Sequence, residues 1–228
     1  MTSTGKTVSG LRGYDGISRY CSNVTVVALV TCLVGWMPAI AAWPEQRPTE
    51  SVKDTVTELL NILKDFNEPS RFEARREQIE QVIRHHVHYE DMAKRSLGTS
   101  WAQMDEVARK EYVSLYVQLL RDALANRMRE YSGERISYLS ERRESGFAEV
   151  KTRLVGDKVD TFIDFRLMSQ DGRWLMYDAV MDGGSLVGSY HAQFASIIRE
   201  ASCAQLMERI KEKTLLMKQF EKSGSEGW

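Results

Sequence analysis

Apolar residues recur at helical spacing through the first half of this chain and at alternating positions through most of the second. Val52, Val56, Leu59, Leu60 and Leu63 form one stripe behind Ser51-Val52-Lys53-Asp54, which resembles a capping box, and Asn67-Glu68-Pro69-Ser70 stops that helix. Phe72, Ile79, Val82, Ile83 and Val87 mark a second helix that runs into a histidine-rich stretch. Ser100-Trp101-Ala102-Gln103 offers another capping box. It opens a long helix through Tyr112, Leu115, Tyr116, Leu119, Leu120, Leu124 and Met128, ending near Gly133.

After Gly133 the period falls to two. Ile136 to Leu139 reads as a short strand; Ala148, Val150, Thr152 and Leu154 alternate with charged residues, as do Val159, Thr161, Ile163, Phe165 and Leu167. Gly156-Asp157 and Asp171-Gly172 are turn signals between strands. In the last strand Trp174, Met176, Asp178 and Val180 face one way, and Leu175, Tyr177, Ala179 and Met181 the other. Asp182-Gly183-Gly184-Ser185 breaks it. Two helices close the chain, Ser185 to about Ala201 and Ser202 to about Phe220, before a flexible tail over 221–228. The expected fold is α+β: N-terminal helices, a four-stranded antiparallel curled sheet, and C-terminal helices packed on one face around an apolar cavity.

Residues 1–41 are a different material. Lys6, Arg12 and Arg19 precede an apolar run from Val24 to Trp36, and Pro38-Ala39-Ile40-Ala41 supplies the small residues at which a signal peptidase cuts. This segment reads as an export signal, leaving one domain over 42–220. The run Val24 to Trp43 is also nearly long enough to span ~30 Å of hydrocarbon as an uncleaved anchor. Cys21 and Cys32 lie inside the signal, so the remaining chain keeps only Cys203 and forms no internal disulfide. Over the whole chain, 31 basic and 32 acidic residues interleave along the helix faces, which leaves no basic stripe for nucleic acid.

The run from Gly172 to Phe194, GRWLMYDAVMDGGSLVGSYHAQF, carries the order Trp, Tyr-Asp, Gly, Ser-Leu-Val, Tyr, Gln-Phe. It resembles the signature of the Mla-pathway periplasmic phospholipid-binding proteins, also called toluene-tolerance proteins or ABC-transporter auxiliary components. His88-Tyr89-Glu90-Asp91-Met92-Ala93-Lys94-Arg95-Ser96-Leu97-Gly98, followed by Trp101, resembles that family's early helical motif, and the resemblance extends from about Thr49 to Lys213. The chain departs from the family pattern at Gly184, Ser189 and His191. The resemblance implies a periplasmic carrier with a pocket between sheet and helices. It also implies a phospholipid ligand, an inner-membrane ABC transporter complex and an outer-membrane lipoprotein complex as partners, and no cofactor.

On strand alternation and helix stripes, the residues expected to line an acyl-chain cavity are Val150, Thr152, Ile163, Phe165, Trp174 and Met176 from the sheet, with Leu115, Leu119, Leu186, Tyr190 and Phe194 from helices. Three other readings compete: a carrier of a hopanoid-type polycyclic lipid, a lipid hydrolase using Asp178 and a histidine, and an interaction subunit with a solid core. His85 and His88 stand at i, i+3 spacing, but no second ligand cluster accompanies them, so no metal site is expected. Gly183-Gly184-Ser185 is not a nucleophile elbow, because the Gly-x-Ser-x-Gly pattern fails at Val187. Without a base, acid or metal beside it, Asp178 is expected to be a structural carboxylate and the protein not to be an enzyme.

Overall fold

Pro48 opens the first helix at a position where its missing N–H costs nothing. The computed structural model describes residues 46–226 apart from 67, 130, 132 and 157–159; the expected export signal and the second half of the Gly156-Asp157 turn lie outside the described residues. Helix α1 spans Pro48–Asp65, α2 Phe72–His86, α3 Tyr89–Leu97 and α4 Glu106–Arg129. Strands β1 Arg135–Glu144, β2 Phe147–Val155, β3 Thr161–Gln170, β4 Arg173–Met181 and β5 Gly184–Ser185 follow, then α5 Leu186–Glu200 and α6 Cys203–Glu226. The fold is thus α+β, with a five-stranded antiparallel sheet ordered β1-β2-β3-β4-β5.

Three hairpins join strands through two-residue loops, Ser145-Gly146, Asp171-Gly172 and Asp182-Gly183, each with both φ angles positive. That is the turn whose twist matches a right-handed sheet. The third explains the fifth strand. Asp182-Gly183 does not merely break β4 but folds the chain back, so that Ser185 pairs with Val180 and Gly184 with Met181.

Other boundaries move for local reasons. Ser51 does not cap α1; it lies one turn inside, buried, and its hydroxyl donates to the Trp174 carbonyl at 2.8 Å. Residues Gly98–Gln103 form a 3-10 helix, and α4 starts later behind Asp105, whose carboxylate accepts from the Ala108 amide at 2.8 Å. Strand β1 runs on through the charged Glu141-Arg142-Arg143-Glu144, which suits an edge strand. Helix α6 continues past Phe220 to Glu226.

Register places Ala148, Val150 and Thr152 beside Leu167, Phe165 and Ile163, all on one sheet face. Met176 pairs with Leu167, and Trp174 with Ser169, on the same face. A bulge at Tyr177 then reverses the alternation, because Arg166 pairs with Asp178 while the next residue, Leu167, pairs with Met176. Asp178 therefore does not face the way Trp174 does, and Ala179 and Met181 take its place beside Phe165 and Ile163.

The interior forms two clusters. One unites all the helices: Ile62 of α1 with Ile79 and Val82 of α2, Met92 of α3, Tyr112, Tyr116 and Leu120 of α4, Phe194 of α5 and Leu206 of α6. Among the described residues it contains no strand residue. The other unites the sheet face with α1: Val52, Ala148, Val150, Leu167 and Trp174, with Val56, Tyr138, Phe165 and Met176 against them. At 25 cal/mol per Å², each fully buried side chain of this kind contributes about 1.5–3 kcal/mol.

Candidate functional site

Helix α1 covers one part of the inner sheet face and is tied down by polar contacts. The Thr49 amide and hydroxyl donate to Glu141 Oε2 at 2.9 and 2.6 Å. Burial alone would raise the Glu141 carboxyl, but these two hydrogen bonds and the one from Arg143 outweigh it and bring the pKa down to about 2. The other end of the face is covered less. There Ile163, Ala179, Met181 and Leu154 are only half-buried, although all are apolar and point the same way.

The eleven residues expected to line a cavity are brought together as two groups. Leu115, Leu119, Tyr190 and Phe194 are buried in the helical cluster, with Leu186 packed against it. Its aromatic rings interlock: Tyr190 stacks on Phe194 at 5.4 Å between centroids, Tyr116 meets Tyr190 edge-on at 5.7 Å, and Tyr112 meets Phe194 edge-on at 6.4 Å. Val150, Phe165, Trp174 and Met176 belong to the sheet cluster. Thr152 is buried, its hydroxyl donating to the Ile163 carbonyl at 2.7 Å, and with half-buried Ile163 it belongs to neither cluster. Burial pushes the phenols of Tyr112, Tyr116 and Tyr190 up, so each stays protonated.

The two groups meet at the α2–α3 junction and at the start of α5. Val87 bridges to Met176 in parallel, and the His88 amide donates to the Met176 carbonyl at 2.8 Å. At α5, Ser185 is the N-cap, accepting from the Gly188 amide at 2.9 Å. Asp178 accepts from the Ser185 hydroxyl at 2.7 Å, from the Val187 amide at 3.2 Å and from Arg166 at 3.2 Å. Its lone pairs go to a helix N-terminus and a neighbouring strand, which is a structural use of a buried carboxylate.

The histidines have local partners of their own. His86 Nε2 lies 2.9 Å from Glu58, His88 Nδ1 accepts from the Asp91 amide at 3.3 Å and so caps α3, and His191 Nδ1 lies 3.3 Å from the Ser96 carbonyl. His88 lies beyond the end of α2 and does not share a helix face with His85. Among the described residues, no three His, Cys, Asp or Glu side chains stand close enough to hold a metal ion. Cys203 is half-buried at the start of α6.

A cleft of about 570 Å³ lies elsewhere, between α2, α4 and α6, lined chiefly by charged residues together with Leu115 and Leu215. Its charges are paired: Arg76 with Asp122 behind the wall at 2.7 Å, Arg121 with Glu80 at 3.0 Å, and Lys218 with Glu73 at 2.8 Å. Such walls suit an acyl chain poorly, since desolvating paired charges offsets any gain from burying methylenes. Periodicity missed this cleft because it reports apolar faces; the alternating Glu and Arg residues of α2 were its only trace in the sequence.

The MlaC protein family model matches residues 53–212. Among solved structures, the chain is similar to the phospholipid-binding protein from Ralstonia solanacearum in complex with a phospholipid, with 16% sequence identity and a TM-score of 0.65. That match covers 76% of this chain and 99% of the other, and it establishes a common fold. No curated protein matches the chain.

Proposed function

The chain belongs to the MlaC protein family, and from that premise we propose that it is a phospholipid carrier that holds acyl chains between the inner sheet face and the helices. The observation that carries this reading is the division of the interior. The helices share one apolar cluster, the sheet face and the first turns of α1 share another, and Ile163, Ala179 and Met181 remain half-buried on that sheet face. The known ligand of the solved relative, a phospholipid, fits the same reading.

Energetics favour the tails as the handle. Each buried methylene contributes ~0.8 kcal/mol, so partial enclosure of two long chains outweighs several polar headgroup contacts. A headgroup left at the mouth is then free to be handed on. The eleven residues from Leu115 to Phe194 line the cavity in this proposal, over a domain of 42–220. Residues 1–41 direct it to the periplasm, where it shuttles lipid between an inner-membrane ABC transporter complex and an outer-membrane lipoprotein complex. It is not an enzyme on this reading: Asp178, the carboxylate a hydrolase would use, is held by Ser185, Val187 and Arg166.

Organic extraction of the protein purified from the periplasm, followed by lipid mass spectrometry, tests this. Stoichiometric phospholipid supports carriage. Intact-mass measurement should show loss of the first 41 residues, and a full-length chain in the membrane fraction would contradict the cleaved signal.

A further inference from the structure

Two buried donors lack the partner that such groups normally find. Tyr116 is fully buried in the helical cluster, and among the described residues no group bonds its hydroxyl; Trp174 is 4% exposed in the sheet cluster, and among the described residues no group accepts from its indole N–H. Buried tyrosine and tryptophan usually have their polar end satisfied, and leaving it unmet costs more than a typical hydrogen bond gains.

The surrounding polar side chains show how unusual this is. Tyr112, one turn before Tyr116 on the same helix and equally buried, shares a 2.7 Å hydrogen bond with Ser96 Oγ. Thr152 donates to the Ile163 carbonyl, Ser51 to the Trp174 carbonyl, Thr55 to the Ser51 carbonyl, and Asp178 has three partners. Among the described residues, these neighbouring side chains in both clusters are paired, while the Tyr116 and Trp174 donors are not. Tyr116 stands edge-on against Tyr190, a residue of the proposed cavity wall, and Trp174 lies on the inner sheet face beside Met176.

We propose that Tyr116 and Trp174 are ligand-binding residues whose donors are reserved for the ester carbonyl oxygens of a diacyl lipid. This rests on the carrier reading and narrows its cargo. An ester-linked lipid brings acceptors just where its apolar part begins, whereas the fused rings of a hopanoid skeleton offer none along their length. Hydrocarbon alone would bury these donors permanently unmet.

The test is competition for the full exported chain between a diacyl phosphatidylglycerol and its dialkyl ether analogue, matched in headgroup and chain length and supplied in equal amounts. Bound lipid is read by native mass spectrometry. The wild type should favour the ester by about five- to thirtyfold, the range expected for one or two hydrogen bonds. In Tyr116→Phe, which keeps the ring, the preference should fall toward one. The variant's lipid-free form should unfold at the same temperature as the wild type or higher, since the lost hydroxyl had no partner among the described residues. The Trp174 indole N–H resonance should move downfield on binding the ester and less on binding the ether.

Equal binding of both lipids by the wild type overturns the donor role while leaving carriage intact, and so does an unchanged preference in Tyr116→Phe. A Tyr116→Phe protein that is less stable without lipid also overturns it, because the hydroxyl would then serve the fold through a buried water. Binding of neither lipid overturns the carrier reading and this inference with it.

Discussion

The Asp178 carboxylate accepts from the Ser185 hydroxyl at 2.7 Å, so the last long strand holds the cap of the helix that follows it. The same carboxylate takes the Val187 amide, one of the donors that a helix N-terminus leaves unmet. Asp178→Ala should therefore destabilise the protein by about 1–3 kcal/mol, because buried donors lose their acceptor. Urea denaturation measures this, and Ser185→Ala should cost less, about 1 kcal/mol, as a lost cap. If Asp178 were instead held for catalysis, its removal would leave stability unchanged.

Gly98 ends α3 with φ 57° and ψ −128°, a conformation in which side chains are strained. A Cβ there would also lie 2.6 Å from His191 Cε1. Gly98→Ala should cost about 1–3 kcal/mol. Adding His191→Ala removes the contact but not the backbone strain, so thermal unfolding of the double variant should show only partial recovery.

Glu141 links stability to pH. Its folded pKa of about 2 is below the ordinary 4.5, so the tie between α1 and β1 contributes fully above 4.5 and is lost as pH falls toward about 2. Glu141→Gln should be less stable than the wild type at neutral pH and should flatten the acid limb of the stability curve in that window. Denaturant midpoints taken at intervals from neutral to acid pH decide it; parallel curves would contradict the assignment.

Metal removal should change nothing. His86 and His88 are occupied by Glu58 and the Asp91 amide. Treatment with a chelator is expected to leave the unfolding temperature and the bound lipid unchanged, whereas stoichiometric zinc in the purified protein would contradict this.

Much of this fold is legible because local chemistry and global structure agree. Asp171-Gly172 predicts a hairpin, and both residues adopt the positive φ that it needs. Ser185 predicts a helix start and caps α5. The failures share a cause. Trp174 to Val180 alternates without interruption in the sequence, so nothing local marks the bulge at Tyr177 that sends Asp178 to the opposite face. Ser51 and Ser100 look like caps, but Pro48 and Asp105 open those helices, and Ser51 is drawn into the interface with β4 instead. Periodicity also shows which faces are apolar without showing what covers them, so one expected cavity lining resolves into a helical group and a sheet group. Tyr116 belonged to a visible helical stripe, but only the structure shows that its hydroxyl has no partner among the described residues.

Lipid carriage is tested most directly at Ile163, half-buried on the inner face and paired with Thr152 and Met181. A carboxylate there cannot enter a dry apolar pocket without a large desolvation cost. Asp160, exposed and 3.7 Å from Arg153, provides the control. The measurement is the amount of co-purifying phospholipid in wild type, Ile163→Asp and Asp160→Ala, each confirmed folded by circular dichroism. The account predicts stoichiometric lipid in the wild type and in Asp160→Ala and loss of most of it in Ile163→Asp; lipid absent from the wild type, or retained in full by Ile163→Asp, would contradict it.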